Sequence, residues 1–369
     1  MPLSHRDYTV ACICPMGVEL AAAKALLDEI HPHLPTQRDQ NVYVLGEMGE
    51  HNVVIAVLPE IGNNAAAALA IQLLIDFPYI RFGLLVGIGG GVPDNEEDGD
   101  DIRLGDVVVS KPTTALAGVV QYDLGKYSSG GGFERTGALN KPPALLRASV
   151  ENLAADHRIK GSQVSHYLAD MLQKYPAMKE KYAHPGAQRD QLFQANYPHP
   201  GGPNCKNCDR QRVIDREPRR NLQPKFHYGT IGSANTVVKD AALREELRRS
   251  LNLKCVEMEA AGLMDSFPCL VIRGICDYAD SHKNTIWQPY AAATAAAYMK
   301  ELLSVIPGQE VTKIPPATVV VEFSRESPTT YRLTGGNARS TLLLVEGSPE
   351  PSRQAETVYG LCIDRFCHD

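Results

Sequence analysis

Three carboxylate residues stand at neighbouring positions in the second half of the chain. Glu257 and Glu259 lie within residues 255–262, and Asp277 follows the mostly apolar run at 269–275. That run is typical of a buried strand, so Asp277 is expected just past a strand end. Ligands of open α/β sheets bind outside the carboxyl ends of the strands. Carboxylates there could hold sugar hydroxyls and protonate a leaving base, which is the chemistry that cleavage of a ribosyl bond requires.

The elements that must position these residues alternate between strands and helices. The pattern predicts strands at residues 8–14, 82–86, 106–110 and 227–233, and a hairpin from 41–45 and 52–58. Helices are predicted at residues 18–30, 63–76, 238–250 and 290–305. A glycine loop is predicted at 87–91, where the backbone could approach a ligand closely. The sequence therefore predicts an α/β fold with a mixed, largely parallel central sheet flanked by helices.

The chain is predicted to divide into one large domain and a tail. The domain spans residues 1–307 and contains an insertion at about 156–226, where the periodic pattern weakens into polar, Pro- and Gly-containing sequence. Residues 308–369 have too little apolar content to build a core of their own. We expect this tail to be a linker or disordered.

Composition argues against several classes of partner. The formal net charge of -6 provides no basic field for nucleic acid, and no apolar run is long enough to cross a membrane. The 9 cysteines are scattered without the spacing of a disulfide framework, which favours reduced thiols. We therefore predict a cytoplasmic protein that binds neither nucleic acid nor membranes.

Four segments, in this order along the chain, carry a resemblance to a known family: residues 87–91, 230–235, 256–260 and 276–277. Over residues 8–307 the sequence resembles the purine nucleoside phosphorylase and nucleosidase superfamily, whose members include methylthioadenosine and AMP nucleosidases. It is most similar to the phosphorylase-like domains of fungal proteins, often found at the front of receptor-like chains. The resemblance implies a small-molecule purine nucleoside or nucleotide as ligand, no cofactor and a homo-oligomer.

The resemblance also implies two catalytic residues. Asp277 matches the general acid beside purine N7, although an aspartate after a strand can also be a helix N-cap or a turn residue. Glu19 matches the glutamate with which hydrolytic relatives activate water, and its alternative is a first-turn glutamate favoured by the helix dipole. Phosphorolytic relatives place arginines in the first strand–helix turn and before the glycine loop. Neither arginine is present here, which favours hydrolysis.

The remaining predicted contacts concern the sugar and the base. Glu259 matches the residue that binds the ribose hydroxyls, Met258 is either a sugar contact or a core residue, and Glu257 is either a second sugar contact or a partner of the backbone. The residues predicted to contact the base or the adjoining sugar are Gly89, Gly90, Val237, Val238 and Cys276. The family usually has glycine where this chain has Ala234, which puts the fit of the base in question.

Two features lie in the predicted insertion. Arg216 and Arg220 belong to a basic cluster that either is a solvated face or binds a 5′-phosphate chain. Cys205 and Cys208 make half of a zinc-type site, and the nearby imidazoles are His199 and His227. We predict a structural loop there and no bound metal.

Taken together, the sequence predicts an enzyme that hydrolyses the N-glycosidic bond of an adenine nucleoside or nucleotide, including ATP. The products would be the free base and ribose or a ribose phosphate. Two alternatives stay open at this level: a phosphate-dependent purine nucleoside phosphorylase, and a catalytically inactive module that senses nucleotides.

Overall fold

The structure is a computed structural model that describes residues 3–35, 41–94, 100–129 and 131–317, and then residues 320–323, 331–335 and 338–339. The main sheet contains β1 Val10–Cys14, β2 Glu29–Ile30, β3 Tyr43–Met48, β4 His51–Val57, β5 Phe82–Gly91, β6 Val107–Ser110, β7 Val119–Gln121, β10 Phe226–Ser233, β11 Leu253–Glu257 and β12 Cys269–Asp277. Strands β8 Gly125–Tyr127 and β9 Phe133–Arg135 form a separate hairpin.

The helices lie around this sheet. They are α1 Gly17–Ala25, α2 Asn63–Asp76, α3 Ala144–Lys160, α4 Val164–Lys174, α5 Lys179–Tyr182, α6 Ala241–Leu251, α7 Ala260–Leu263, α8 Gln288–Ser304 and α9 Gly308–Lys313. On one side of the sheet, α8 packs against α1 and α4, and on the other side α2 packs against α7. The predicted α/β architecture, a mixed and largely parallel sheet between helices, is confirmed.

The sheet order places several strand ends beside one another. The path runs β11-β10-β6-β12-β5-β1-β4-β3-β2, and β7 pairs with β10. Strand β11 also pairs with β5, through Cys255 with Gly91 and Val256 with Gly90, so that five strands close on themselves. Because β5, β11 and β12 are neighbours in this closed part, the residues at the ends of these strands meet at one edge.

Helix α8 can lie directly on the sheet because small residues face each other there. Its alanines between residues 291 and 297 are buried, and a Cβ added to Gly274 of β12 would lie 1.8 Å from the carbonyl oxygen of Ala291. No side chain larger than hydrogen fits at position 274 without displacing the helix. This close contact fixes the helix against the strand that ends in Asp277.

The predicted glycine loop is wrong, because residues 87–91 continue β5 as a strand. They pair with β12, for example Gly87 with Arg273 and Gly89 with Ile275. The absent side chains make room for neighbouring ones: a Cβ on Gly89 would lie 2.4 Å from the sulfur of Cys255. The first helix also ends earlier than predicted, at Ala25, because Glu29–Ile30 pairs with β3.

The described packing continues beyond residue 307, where the sequence prediction ended the domain. Helix α9 buries Val311, and the Gly308 amide donates to the carboxylate of Glu50 at 2.8 Å. The Ala317 amide donates to the carbonyl of Ile80 at 2.7 Å. In the tail, strands β13 Val320–Phe323, β14 Tyr331–Gly335 and β15 Ala338–Arg339 form a small antiparallel sheet. For residues 318–319, 324–330, 336–337 and 340–369, the prediction lies outside the described residues.

The region of the predicted insertion starts with regular structure. Helices α3 and α4 turn buried faces toward α8, and the chain then runs through short turns up to β10. Within these turns, an isolated bridge joins Phe193 to Val213. Over the residues that the structure describes, no helix has the length and apolar character that crossing a membrane would require.

Candidate active site

A cavity of about 290 Å³ lies where β1, β5, β11 and β12 end. It collects almost all of the residues that the sequence singled out. Those that line it are Glu19, Gly89, Gly90, Val237, Val238, Glu257, Met258, Glu259, Cys276 and Asp277. Arg216 and Arg220 do not line it.

Glu19 is held inside the cavity by two backbone amides. It lies in the first turn of α1, which follows β1, and its carboxylate accepts from Met16 at 2.5 Å and from Ile88 at 2.7 Å. Burial raises the pKa of Glu19 to about 7, although Arg273 and the two amides oppose that shift. A carboxyl group with a pKa near neutrality is suited to take a proton from water.

Arg273 is the most deeply buried of the site residues that sequence reasoning missed. It lies in the middle of β12, is 1% exposed, and forms ion pairs with Glu257 and with Glu259, the latter at 3.0 Å. Its other terminal nitrogen lies 4.0 Å from Glu19. The available signal was an arginine inside an otherwise apolar strand, because buried arginines almost always have acidic partners.

Gly87 allows these charged groups to approach one another. A Cβ at this position would lie 2.4 Å from both the Glu19 carboxylate and the Arg273 guanidinium. The glycine of β5 therefore provides room for a buried ion pair and not for a ligand. From the sequence, we had expected the glycines at 87–91 to let the backbone approach a ligand.

Glu257 and Glu259 have different surroundings although they are two residues apart. Glu257 accepts from the backbone amides of Glu259 and Ala260 at the start of α7, and it pairs with Arg273. These bonds support the backbone-partner alternative and occupy the carboxylate that would otherwise hold ribose. Glu259 accepts from the Gly62 amide at 3.2 Å and from Arg273, and burial raises the pKa of its side chain.

Asp277 ends β12 and is paired with a lysine. Its Oδ2 lies 3.0 Å from the ammonium of Lys283, and its Oδ1 accepts from the Ala279 amide at 2.9 Å. Burial opposes the charge on Lys283, yet its pKa is raised because the Asp277 carboxylate is so close. Cys276 donates its thiol to Asp277 Oδ2 at 3.1 Å. The sequence predicted Asp277 and Cys276 but not Lys283.

The turn after Asp277 is strained and is held by a second buried arginine. Ala279 has φ of 52°, a left-handed conformation that residues with a Cβ seldom adopt. Arg244 of α6 donates to the carbonyl of Tyr278 at 2.9 Å and lies 3.6 Å from Asp280. The turn therefore keeps its conformation through contacts outside the cavity.

The other walls of the cavity are largely apolar. Val238 is buried, Val237 is 46% exposed at the rim, and Met258 is half-buried beside Glu259. The loop that carries the valines is attached to α2, because Asn235 Oδ1 accepts from the amide of Asn63 at 3.0 Å. Such walls suit a flat aromatic base next to a polar sugar.

Arg216 and Arg220, for which the sequence left a solvated face or phosphate binding open, lie outside this cavity. Arg216 donates to Asp190 at 3.0 Å and to the hydroxyl of Tyr278 at 2.8 Å, in the wall of a separate cavity. Arg220 is exposed, and it lines neither the candidate active-site cavity nor the two cavities next to it. The Asp190 carboxylate already compensates the charge of Arg216, as a phosphate would otherwise do, and the Tyr278 hydroxyl occupies a further donor of the guanidinium.

Charges in the cavity are unevenly distributed. Arg273 is surrounded by carboxylates, and Lys283 is paired with Asp277. Lys239 also lines the cavity but is exposed at its rim, and no described carboxylate forms an ion pair with it. The deep part of the cavity can therefore position a sugar and exchange protons, while the rim carries a cation.

The family model of the phosphorylase superfamily matches residues 9–304. A nucleotide-binding leucine-rich repeat (NLR)-like protein of Hyaloscypha variabilis is 44% identical over 309 residues, which cover 83% of this chain and 30% of that protein. The ATP nucleosidase Cap17 of Escherichia coli is 36% identical over 80 residues, 20% of this chain and 16% of Cap17. The chain thus spans less than a third of the length of either relative.

Solved structures show the same fold at low sequence identity. Futalosine hydrolase of Helicobacter pylori superposes with a TM-score of 0.52 at 17% identity, covering 81% of this chain and 99% of that one. A 5′-methylthioadenosine/S-adenosylhomocysteine nucleosidase of Neisseria meningitidis, in complex with methylthio-immucillin-A, superposes with a TM-score of 0.51 at 17% identity, covering 80% and 98%.

Proposed function

We propose that this chain, which belongs to the phosphorylase superfamily, hydrolyses the N-glycosidic bond of an adenine nucleoside or nucleotide. The observation that carries the proposal is the meeting of Glu19, Glu259 and Asp277 in one cavity with apolar walls. Each carboxylate has a different environment: Glu19 is held by amides, Glu259 by Arg273, and Asp277 by Lys283. Different environments suit different roles in one reaction.

In the proposed reaction, Asp277 serves the leaving base. When the C1′–N9 bond breaks, its electron pair passes to the purine, and N7 takes a proton from the Asp277 carboxyl group. The ammonium of Lys283, 3.0 Å away, supplies that proton to the Asp277 carboxylate as the base departs. Protonation of the base removes the negative charge that would otherwise make it a poor leaving group.

Glu19 and Glu259 serve the sugar. Glu19 takes a proton from water as the oxygen of that water bonds to C1′, and its raised pKa of about 7 suits this step near neutral pH. Glu259 accepts hydrogen bonds from the ribose hydroxyls, and Arg273 holds it in place. Arg273 and Glu257 are positioning residues in this scheme, since both are occupied by other protein groups.

Water is favoured over phosphate as the nucleophile. A phosphate beside C1′ would need a free cation, but Arg273 is already shared by Glu257, Glu259 and, at a longer distance, Glu19. A buried dianion next to these carboxylates would be repelled. The experiment is to incubate the protein with adenosine, AMP, ATP, inosine and guanosine, with and without phosphate, and to measure the released base.

Base release in phosphate-free buffer is the expected result, with free ribose or ribose phosphate as the second product. Glu19→Gln should then lose most of the rate and Glu19→Asp part of it. Turnover only in the presence of phosphate would instead identify a phosphorylase. Binding of substrate without base release by the parent protein would identify a nucleotide sensor, a role to which the long NLR-like relative lends some weight.

The exposed lysine at the rim suggests that phosphorylated substrates are accepted. Lys239 is the cation of the cavity without a described acidic partner, so a 5′-phosphate chain could reach it. The similarity of a short stretch to an ATP nucleosidase agrees with this substrate class. Lys239→Ala should raise KM for ATP by roughly tenfold and leave KM for adenosine unchanged, as expected for one lost charge-assisted bond. Lys179→Ala, an exposed lysine away from the cavity, is the matched control.

Assembly into a homo-oligomer is part of the proposal. Ile61 and Val237 are large apolar side chains that line the cavity and remain about half exposed at its rim. A second copy covering this rim would shield the substrate from bulk solvent and leave the single water that Glu19 activates. Light scattering of the purified chain would test this, and a monomer at all concentrations would contradict it.

A further inference from the structure

The part of the insertion that precedes β10 brings a group of metal-binding side chains together. His199, Cys205 and Cys208 lie so that their ligand atoms are all within 4.8 Å of one another. Cys208 is buried, the other two are half-buried, and both cysteines are free thiols. The only other such group among the described residues is Glu29, His31 and Glu47, which has no sulfur ligand.

The turn between the two cysteines has the shape that metal knuckles use. The Cys208 amide donates to the Cys205 carbonyl at 3.2 Å, which closes a tight turn and turns both side chains to the same side. Around a tetrahedral zinc ion, ligand atoms lie about 3.3 to 3.8 Å apart, given bonds of about 2.0 to 2.3 Å. Shifts of about 1 Å in flexible side chains would bring the three atoms to those separations.

The hydrogen bonds of His199 give its two ring nitrogens different roles. Nε2 lies 3.2 Å from the carbonyl of Asn204, and Nδ1 accepts from the Gly201 amide at 3.0 Å. These partners assign the hydrogen to Nε2 and the lone pair to Nδ1. A bond from the second imidazole nitrogen to a backbone carbonyl is the usual way in which a zinc-binding histidine is oriented. Metal binding at Nδ1 would replace the bond from Gly201.

A second histidine beside this group has a buried nitrogen without a partner. His282 is 7% exposed, and its Nε2 forms no hydrogen bond with any described residue. Its ring lies edge-on to that of His199, with centroids 5.3 Å apart, and its carbonyl accepts from the thiol of Cys205 at 3.6 Å. A buried polar atom without a partner is costly, and a metal ligand role would remove that cost.

We propose that His199, Cys205 and Cys208 bind a structural zinc ion, and that the ring of His282, which lies next to this group and outside its 4.8 Å limit, moves in as the fourth ligand. Two thiolates and imidazole nitrogen form a soft ligand set that suits zinc better than calcium or magnesium. The ion would join the insertion to the turn after β12, to which His199 is already attached through its amide and the hydroxyl of Ser281 at 2.9 Å. That turn carries Asp277 at one end and Lys283 at the other.

The experiment starts with the metal content of the full chain. Protein purified from zinc-supplemented medium under reducing conditions should contain one zinc ion per chain, as measured by inductively coupled plasma mass spectrometry. The variants Cys205→Ser, Cys208→Ser and His199→Ala should lose it. His282→Ala should bind zinc at least tenfold more weakly, because water would take the fourth position. Two controls should keep full zinc content: Cys269→Ser, a buried cysteine elsewhere, and Glu47→Gln from the oxygen-rich group.

Two further measurements keep the proposal testable if a cysteine variant fails to fold. Cobalt(II) exchanged into the parent protein should give sulfur-to-cobalt charge-transfer absorption, which only thiolate ligation produces. Chelation of the parent should speed amide exchange at residues 199–208 and 280–283 and leave β1 unchanged. A parent protein that takes up no zinc, zinc retained after loss of both cysteines, another metal at full occupancy, or a Cys205–Cys208 disulfide would each overturn the proposal. Unchanged zinc affinity in His282→Ala would remove His282 from the ligand set.

Discussion

The cavity at the strand ends and the cysteine-containing turns of the insertion both bury polar groups, but they hold them in different ways. In the cavity, Glu19, Glu257 and Glu259 are satisfied by backbone amides and by Arg273, all of which lie on or next to the sheet. In the insertion the thiols lie on an irregular turn, and His282 Nε2, in the neighbouring turn after β12, has no described partner. A rigid sheet can orient charged side chains by itself, whereas an irregular loop needs a further bond. In the cysteine-containing turns, the proposed zinc ion would supply that bond.

The largest expected effect on activity is that of Asp277→Asn in the cavity. The amide keeps the shape of the side chain but cannot supply the proton to N7, so kcat should fall about 10²- to 10⁴-fold. The fall in kcat is measured from the rate of base release, which chromatography quantifies. An unchanged circular dichroism spectrum would show that the fold is retained. A variant with near-parent turnover would remove Asp277 from the proposed mechanism.

Removal of the central cation should have the next largest effect. Arg273→Met leaves Glu257 and Glu259 buried without their partner, and such losses destabilise a protein by about 3 to 5 kcal/mol. Denaturant unfolding measures the change. Arg244→Met is an informative comparison, because Arg244 is equally buried but supports the turn at Tyr278 from outside the cavity. If Arg273→Met unfolds like the parent, the charges of the cavity are not stabilised by this residue.

A smaller loss of stability is expected when a substitution adds a methyl group and leaves the charges unchanged. Gly87→Ala adds a methyl group that would lie 2.4 Å from Glu19 and Arg273, so the pair must move apart at a cost of about 1 to 3 kcal/mol. Gly17→Ala is the matched control, since a Cβ there has no neighbour within 4 Å. Thermal unfolding and KM should both change in Gly87→Ala alone. Equal behaviour of the two variants would show that Gly87 is not needed for close packing.

The raised pKa of Glu19 predicts two pH dependences. Activity should rise as pH increases through about 7, because Glu19 must be ionised to accept a proton from water. Stability should change in the opposite direction. Because burial raises the pKa from 4.5 to about 7, the folded state holds a proton that the unfolded state loses, so unfolding becomes easier between these two pH values.

Glu19→Gln separates these effects from those of other groups. The glutamine cannot ionise, so the variant should lose the part of the stability slope between pH 4.5 and 7 that comes from Glu19. Melting temperatures measured across this range for both proteins provide the test. Parallel curves would mean that Glu19 does not titrate there.

The smallest effect on catalysis is expected from a substitution in the insertion. Cys208→Ser should change kcat by less than tenfold, because no residue of the cysteine group lines the cavity. Proteolysis of residues 199–208 should nevertheless become faster, since local opening follows the loss of local contacts. A loss of activity as large as that of Asp277→Asn would show that the turn carrying Asp277 and Lys283 depends on the cysteine group for its catalytic geometry.

Much of the site could be predicted because its residues sit at strand ends that the sequence marks clearly. Asp277 follows an apolar run, and Glu259 precedes a short helix, so their convergence follows from a parallel sheet. Arg273 was missed because one charged residue inside an apolar run does not disturb the strand pattern. For Arg216 the basic sequence neighbours left a solvated face or phosphate binding open, and neither local alternative shows that Asp190, distant along the chain, compensates its charge.

The sequence by itself determined the order of strands and helices, the family, and which carboxylates could act on a ribosyl bond. Periodicity and local motifs carry that information, because they depend on residues a few positions apart. The tertiary structure alone decided that Glu257 is occupied by Arg273 and α7, that Lys283 pairs with Asp277, and that His199 meets the two cysteines. Burial and pairing depend on which distant segments pack together, and this is a property of the folded chain that no local pattern contains.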